Sequence, residues 1–246
     1  MKYKIIMILL FMTSTLNTSA QTANIHLKNG RVVIYKSSEV DYIDFTEKNN
    51  SEEDQSLNNH EFVDLGLTSG LLWATCNIGA TKPEEYGNYY AWGETESKNS
   101  FSWSNYSHCE GTQESCYKLG DDISETDYDV AHVKWGGAWR LPSNNDFKEL
   151  YKECTWKWET INGVSGFSIV GPSGGSIFIP ASGWQPVNSK PSDVGSFGYY
   201  WSSNQKRIGY DYAYTLSFGS SSVGTNNLSP CAYGQSVRPV AKLKSN

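Results

Sequence analysis

The most regular pattern of apolar and polar positions begins after Pro142. Ser143 and Asp146 form a capping box, in which two polar side chains three residues apart satisfy the free amides at a helix start. Apolar residues then recur at i, i+3, i+4 and i+7, which is one face of a helix. The residues of this stripe are Phe147, Leu150, Tyr151 and Cys154. The pattern predicts a helix that buries the stripe.

A second capping box is formed by Thr81 and Glu84. Gly87 follows within one turn, and glycine commonly ends helices. The spacing therefore predicts a shorter second helix that ends near Gly87.

The rest of residues 61–243 is rich in Gly, Ser, Trp and Tyr, with short apolar runs between turn residues. This pattern is typical of many short strands. Within 212–218, large residues alternate with small ones, which indicates one large-residue face and one small-residue face. The candidate strands are 176–180, 199–203, 212–218 and 236–240. We expect an α+β domain that is mostly β, with a twisted antiparallel sheet of short strands and two short helices.

Residues 21–45 predict a small N-terminal β unit. Alternating apolar residues lead to Asn29-Gly30, a strong hairpin-turn signal, and residues 31–35 supply a β-branched return strand. A piece of about 25 residues cannot bury enough surface to be stable alone, so it should dock on another surface. Residues 46–60 are mostly Glu, Asn, Ser and Asp and predict a polar linker.

Residues 1–20 have the pattern of a signal peptide. Two lysines precede an apolar run at 5–12, and small residues at 18–20 offer a cleavage site. The run is too short for a permanent membrane helix, and no later stretch is apolar for long enough to cross a bilayer. We expect an exported mature chain, located in the periplasm, at the cell surface or outside the cell, with no membrane span.

The charge balance argues against nucleic acid as a partner. The chain carries 20 basic and 26 acidic residues, a formal net charge of -6. Removal of residues 1–20 takes away two lysines and no acid, so the mature charge is -8. A protein of this charge has no positive field to attract phosphates.

Cysteine spacing predicts one disulfide. Cys109 and Cys116 enclose a polar hexapeptide that is short enough to be held as a loop in an oxidising compartment. Three cysteines remain, so at least one thiol should be free. The paired spacings of a zinc site are missing. The remaining cysteines are Cys76, Cys154 and Cys231.

Several segments, in fixed order over residues 61–241, closely resemble the Fibrobacter major paralogous domain family of exported proteins from Bacteroidetes and related bacteria. Residues 21–45 are similar to a short unit that often precedes this domain. The segments are FVDLGLTSGLLWATCNIGATKPEEYGNYYAWGET (62–95), WGGAWRLPSNNDFKEL (135–150), CTWKW (154–158), GPSGGSIFIPASG (171–183), GYYWSS (198–203) and GQSVRPV (234–240).

The resemblance implies a C-type lectin-like fold, which formylglycine-generating enzymes share. The common features are Trp139-Arg-Leu-Pro142, which runs into the predicted helix, and the late segment Val237-Arg-Pro-Val240. The enzymes bind copper through a cysteine pair in the C-terminal part of the domain, whereas only Cys231 lies in that region here. We therefore expect no catalytic activity and no cofactor.

Other catalytic and metal-binding patterns are weak. None of the four histidines lies in a nucleophile motif. The acidic stretch 121–129 offers carboxylate oxygens for calcium but has no EF-hand glycine or closing glutamate. A solvated acidic loop is the favoured interpretation, and no metal site is expected.

Aromatic residues point to ligand binding, since nine tryptophans and sixteen tyrosines offer flat apolar faces beside many polar groups. Trp184 opens a loop with two prolines and no regular pattern, and in the C-type lectin-like order the long loop after the helices usually carries the ligand. The predicted contact residues are Trp184, Gln185, Asn188, Asp193 and Asn204. The alternative is that Trp184 folds back as a lid over the core.

Together these observations predict an exported, non-catalytic binding or adhesion protein that recognises an extracellular glycan or a cell-surface protein. One alternative is a component of a surface assembly that inserts residues 22–45 into the sheet of a neighbour. A less favoured alternative is an enzyme related to the formylglycine-generating enzymes.

Overall fold

The computed structural model describes residues 22–26, 32–36, 57–208 and 210–243. The chain divides into two compact units, residues 1–49 and 50–246. The predicted signal peptide at 1–20 lies outside the described residues, as do the predicted turn Asn29-Gly30 and most of the predicted linker.

The first unit contains a pair of antiparallel strands, β1 (Thr22–His26) and β2 (Val32–Lys36). Thr22 pairs with Lys36, and His26 pairs with Val32. These strands lie on either side of Asn29-Gly30, as the hairpin pattern predicts.

The second unit is mostly β, with two short α-helices among its described residues. The helices are α1 (Val130–Trp135) and α2 (Asn144–Glu153). The strands are β3 (Phe62–Asp64), β4 (Leu72–Ala74), β5 (Trp139–Arg140), β6 (Thr155–Ile161), β7 (Val164–Val170), β8 (Ser176–Pro180), β9 (Phe197–Ile208), β10 (Tyr210–Gly219), β11 (Ser222–Pro230) and β12 (Val240–Ala241).

These strands form three antiparallel sheets with the orders β3-β4-β12-β5, β6-β7-β8 and β11-β10-β9. The last strand of the unit, β12, lies between β4 and β5, so the C-terminal end closes the sheet that the first strands begin. Helix α2 packs against β9, β10 and β11. The predicted mostly β, α+β class with antiparallel sheets is thus confirmed, whereas only one of its two helices, α2, is one that the sequence predicted.

Helix α2 begins at the predicted capping box. Ser143 Oγ accepts a hydrogen bond from the Asp146 amide at 3.1 Å, and Asp146 Oδ2 accepts one from the Ser143 amide at 2.7 Å. Phe147 and Leu150 are fully buried in the core that α2 shares with β7, β8 and β10. Tyr151 is 50% exposed, so the buried stripe is narrower than the sequence predicts.

The helix predicted after Thr81 is wrong, because this segment forms a turn. Glu85, rather than Glu84, accepts hydrogen bonds from the Thr81 and Lys82 amides, at 2.7 and 3.3 Å. The Tyr86 carbonyl is bonded to the side chains of Asn77 and Ser236. The Asn88 amide donates to the Ile78 carbonyl at 2.9 Å, so the segment closes as a turn.

The other short helix of the unit, α1, follows directly after the acidic stretch 121–129. Asp129 caps it by accepting from the Ala131 and His132 amides, and the same carboxylate accepts from the Leu141 amide beside β5. Burial raises the pKa of Asp129, although these backbone donors act in the opposite direction. Asp129 is therefore an internal connection and not part of a solvated acidic surface.

The sequence predictions located three strands and missed a hairpin. Predicted strand 176–180 coincides with β8, and 199–203 and 212–218 lie inside β9 and β10. Of the predicted strand 236–240, Ser236 forms an isolated bridge and Val240 begins β12. The hairpin of β6 and β7, which turns at Asn162-Gly163, was not predicted, although Asn-Gly is a strong turn signal.

Arg238 connects two of the sheets from inside the unit. It is fully buried, and its guanidinium donates to Asn77 Oδ1 and to the carbonyls of Ala74, Thr75 and Phe178 at 2.6–3.0 Å. Burial lowers its pKa to about 10. The next strand, β12, then pairs with β5, which brings the late segment and Trp139-Arg140 together.

Leu57, four residues before the predicted start of the domain, already belongs to the core of the second unit. Leu57 is fully buried, and its carbonyl accepts a hydrogen bond from Trp139 Nε1 at 2.8 Å. His60 stacks on Trp135 with 3.9 Å between ring centroids. Among the helices of the described ranges, none has the length and apolar character needed to cross a bilayer.

Candidate ligand-binding surface

The loop that follows Trp184 is closed at its base by backbone hydrogen bonds. Trp184 and Ser192 exchange two of them, at 3.1 and 2.8 Å, and the Gly183 amide donates to the Phe197 carbonyl at 2.7 Å. Gly183 has a φ of +65°, which favours glycine. A Cβ at this position would lie 2.2 Å from the Ser192 carbonyl oxygen. The tight base therefore depends on glycine.

Beside this base lie four aromatic rings, Phe197, Tyr199, Trp184 and Tyr233, which we call the aromatic row. The ring centroids of Phe197 and Tyr199 are 6.5 Å apart. Those of Tyr199 and Trp184 are 5.8 Å apart, and those of Trp184 and Tyr233 are 4.9 Å apart. Phe197 is 42% exposed, whereas the other three rings are half-buried. The row is thus a partly exposed apolar strip.

Phe197 and Tyr199 lie on one face of β9, because side chains two residues apart in a strand point the same way. The partner of Phe197 on β10 is Gly219. A Cβ at Gly219 would lie 2.6 Å from the Phe197 ring, so the missing side chain leaves space for the ring to lie across the neighbouring strand. This contact supports an exposed ring at the end of the row.

Asp193 places a carboxylate beside the row. Its Oδ2 accepts a hydrogen bond from Trp184 Nε1 at 2.8 Å, and its carbonyl accepts from the amides of Ser196 and Phe197. Burial raises the pKa of the Tyr199 hydroxyl, and the nearby Asp193 carboxylate raises it further. Asp193 is exposed, so this polar group is accessible to a ligand.

Gln185 and Asn188 support the loop in different ways. Gln185 is buried, and its Nε2 donates to the carbonyls of Asn99 and Ser189 at 3.2 and 3.1 Å. Its backbone also pairs with Gly234, next to Tyr233. Asn188 is exposed, and its backbone N–H donates to the Phe101 carbonyl. Gln185 therefore acts as internal support, whereas the Asn188 side chain is accessible.

Asn204 lies apart from the other predicted contact residues. It is five residues beyond Tyr199 on β9, about 16 Å along the strand. Its Oδ1 accepts a hydrogen bond from the Asn144 amide at 2.8 Å, at the start of α2. The five predicted residues thus divide into a pair at the row, Trp184 and Asp193, two loop positions, and one residue at the helix.

Trp184 is not the most exposed aromatic ring beside this loop. Phe197 is more exposed, and Trp184 packs between the rings of Tyr199 and Tyr233. The predicted residues omitted Phe197, Tyr199 and Tyr233. The alternation of Phe197 and Tyr199 could have revealed the first two, whereas Tyr233 has no local signal because the fold brings it from a later segment.

The cysteines agree with the predicted pairing. Cys109 and Cys116 form a disulfide, and the Tyr117 amide donates to the His108 carbonyl at the same loop. Cys154 is a half-buried thiol whose pKa is raised to about 11 by burial and by two nearby glutamates. Among the side chains that the structure describes, no group of three or more His, Cys, Asp or Glu is arranged to hold a metal ion.

A separate cavity of about 260 Å³ lies between β8 and the turn after Thr81. Its ionisable group is Glu84, whose Oε1 accepts from Asn162 Nδ2 at 2.8 Å. This hydrogen bond lowers the pKa of Glu84. The walls are otherwise formed by apolar and hydroxyl side chains. The aromatic row, with its exposed ring and fixed carboxylate, is the stronger candidate for ligand recognition. The lining residues are Thr75, Pro83, Glu84, Ile161, Ser168, Ser176, Ile177 and Phe178.

Comparison with known proteins gave no match among family models, curated proteins or solved structures. The geometry of the row and the sequence patterns are therefore what indicate a function for this protein.

Proposed function

We propose that this is an exported, non-catalytic protein that binds an extracellular glycan through the aromatic row. The observation that carries the proposal is a strip of four successive rings with the Asp193 carboxylate fixed beside it by Trp184 Nε1. The apolar faces of sugar rings stack on aromatic rings, while sugar hydroxyls seek hydrogen-bond partners. A strip that combines aromatic faces with a hydrogen-bonding carboxylate suits a sugar better than a wholly apolar ligand.

We further propose that the second unit has a C-type lectin-like fold and belongs with the Fibrobacter major paralogous domains. The sequence segments that resemble this family support the proposal. Two structural features agree with it: the pairing of β5 with β12 and the capped helix that follows Pro142.

Export is proposed from the signal-peptide pattern at residues 1–20. The Cys109–Cys116 disulfide supports it, because disulfides persist mainly in oxidising compartments. The mature chain would then meet glycans in the periplasm, at the cell surface or outside the cell.

A glycan array probed with the mature chain, residues 21–246, tests the proposal. We expect saturable binding that the substitution Phe197→Ala reduces at least tenfold. Phe62→Ala is the matched control, since Phe62 is also an exposed strand phenylalanine, 39% exposed against 42% for Phe197, but lies on β3. The control should bind like the wild type, and both variants should keep the wild-type melting temperature within a few degrees.

Two outcomes would contradict the proposal. Glycan binding that survives both Phe197→Ala and Tyr199→Ala would mean that the row is not the binding surface. An empty array, together with an extracellular protein captured by the wild type but not by Phe197→Ala, would identify the row as a protein-binding surface instead.

A further inference from the structure

Consecutive rings of the aromatic row contact one another but are not coplanar. The planes of Phe197 and Tyr199 incline by 33°, those of Tyr199 and Trp184 by 52°, and those of Trp184 and Tyr233 by 43°. Centroid spacings of 4.9–6.5 Å allow each ring to contact a different sugar of one glycan chain. Neighbouring rings are thus inclined to one another by 33–52°, and all four rings are at least partly exposed.

Ring inclination restricts the shape of a glycan that the strip can hold. A sugar that stacks on an aromatic ring lies nearly parallel to it, so inclined rings require inclined sugars. A β-1,4-linked glucan forms a flat ribbon, whose sugar planes are almost parallel. An α-1,4-linked glucan inclines each sugar to the next. The inclined type therefore fits several rings at once, whereas the flat type fits few of them.

The charge beside the row restricts the ligand further. Asp193 is exposed, and its carboxylate contacts the indole of Trp184. It would repel a sugar carboxylate that stacked on the same ring, whereas a neutral sugar can donate a hydroxyl to it. A neutral chain is thus favoured over a uronic acid chain.

Building on the proposed function, we infer that the ligand is an uncharged glycan chain that spans at least three consecutive sugars, with each sugar plane inclined to the next as in α-1,4 glucans. Phe197 is one end of the strip and Tyr233 is the other. Affinity should therefore grow with chain length until the strip is filled.

Calorimetric titration with defined oligosaccharides measures how the affinity depends on the length, shape and charge of the glycan chain. The probes are maltose, maltotriose, maltotetraose and maltohexaose, with cellohexaose as the flat chain and trigalacturonate as the charged chain. We expect the Kd to fall at least tenfold from maltose to maltotetraose and then to stay level. Cellohexaose and trigalacturonate should bind at least tenfold more weakly than maltohexaose and maltotriose, respectively.

A terminal-ring variant adds a second readout. Phe197→Ala should raise the Kd for maltohexaose about tenfold, the effect of one lost aromatic contact, and change the Kd for maltose less than twofold. Phe62→Ala should leave both values unchanged. An unequal effect on long and short chains is not expected from a general loss of stability.

Three results would overturn the inference: equal affinity for maltose and maltohexaose, equal or tighter binding of cellohexaose, or no saturable binding of maltohexaose. If array binding to another glycan is still lost in Phe197→Ala, the proposed function stands and only the inferred ligand shape is wrong. If array binding survives the loss of Phe197 and of Tyr199, the proposed function itself fails.

Discussion

Substitution of Gly183 by alanine is predicted to open the loop that carries Trp184. Gly183 has a φ of +65°, and a Cβ there would lie 2.2 Å from the Ser192 carbonyl oxygen and 2.8 Å from Val194 atoms. The nearest obstacle is backbone, which cannot rotate away as a flexible side chain can. The loop base must therefore move apart, and the two hydrogen bonds between Trp184 and Ser192 are lost.

Gly70 provides a matched control for the size of this effect. Its φ of +68° is nearly the same, but no heavy atom lies within 4 Å of a Cβ at that position. Gly70→Ala should cost only the conformational penalty of a left-handed alanine, about 1–2 kcal/mol. Gly183→Ala should cost that penalty plus two hydrogen bonds of about 0.5–1.5 kcal/mol each. The expected difference between the two variants is therefore about 1–3 kcal/mol.

Urea denaturation of both variants gives the two free energies of unfolding, and glycan-array binding gives the functional readout. Gly183→Ala should lose free energy of unfolding relative to Gly70→Ala and should also lose glycan binding, because Trp184 and Asp193 no longer hold their positions. Equal free energies for the two variants would refute the clash. Normal glycan binding by Gly183→Ala would refute the requirement for a closed loop.

Two further predictions concern the framework. Leu150→Ala should lower the free energy of unfolding by about 2–5 kcal/mol, because Leu150 is fully buried in the core. Lys152→Ala, at an exposed position of the same helix, should change it by less than about 0.5 kcal/mol. Equal values for the two variants in urea denaturation would contradict the packing of α2. Burial lowers the pKa of His60 below 6.5, so the unfolded chain binds more protons and stability is lost as the pH falls below about 6.5. The non-titrating variant His60→Phe, which can still stack on Trp135, should show a smaller fall in melting temperature from pH 7 to pH 5, and an equal fall would exclude His60 as the cause.

Local sequence signals predicted the elements that local interactions decide. The capping box of Ser143 and Asp146 fixes the start of α2 because both partners lie within one turn. The same kind of motif at Thr81 did not begin a helix: the Thr81 and Lys82 amides bond to Glu85 instead of Glu84, and the Tyr86 carbonyl bonds to Asn77 and to the distant Ser236. The cysteine pairing was also predictable, since a separation of only seven positions in the sequence keeps the two sulfurs close together.

The candidate site was only partly predictable. Trp184 and Asp193 belong to one loop, so the sequence identified them together. Tyr233 reaches the row because the backbone of Gly234 pairs with Gln185. Asn204 was grouped with the loop because it is near in sequence, yet the extended path of β9 carries it to the start of α2.

By itself, the sequence determined the mostly β class, the capped helix α2, the disulfide and the loop that contributes to the site. These features depend on residue spacing, on local hydrogen bonds and on short chain closures. Tertiary structure alone decided which rings align, how they incline, and that Arg238 is buried against carbonyls of separate segments. Such contacts join residues far apart in the chain, and burial of apolar surface, which does not depend on the separation of residues in the sequence, brings them together.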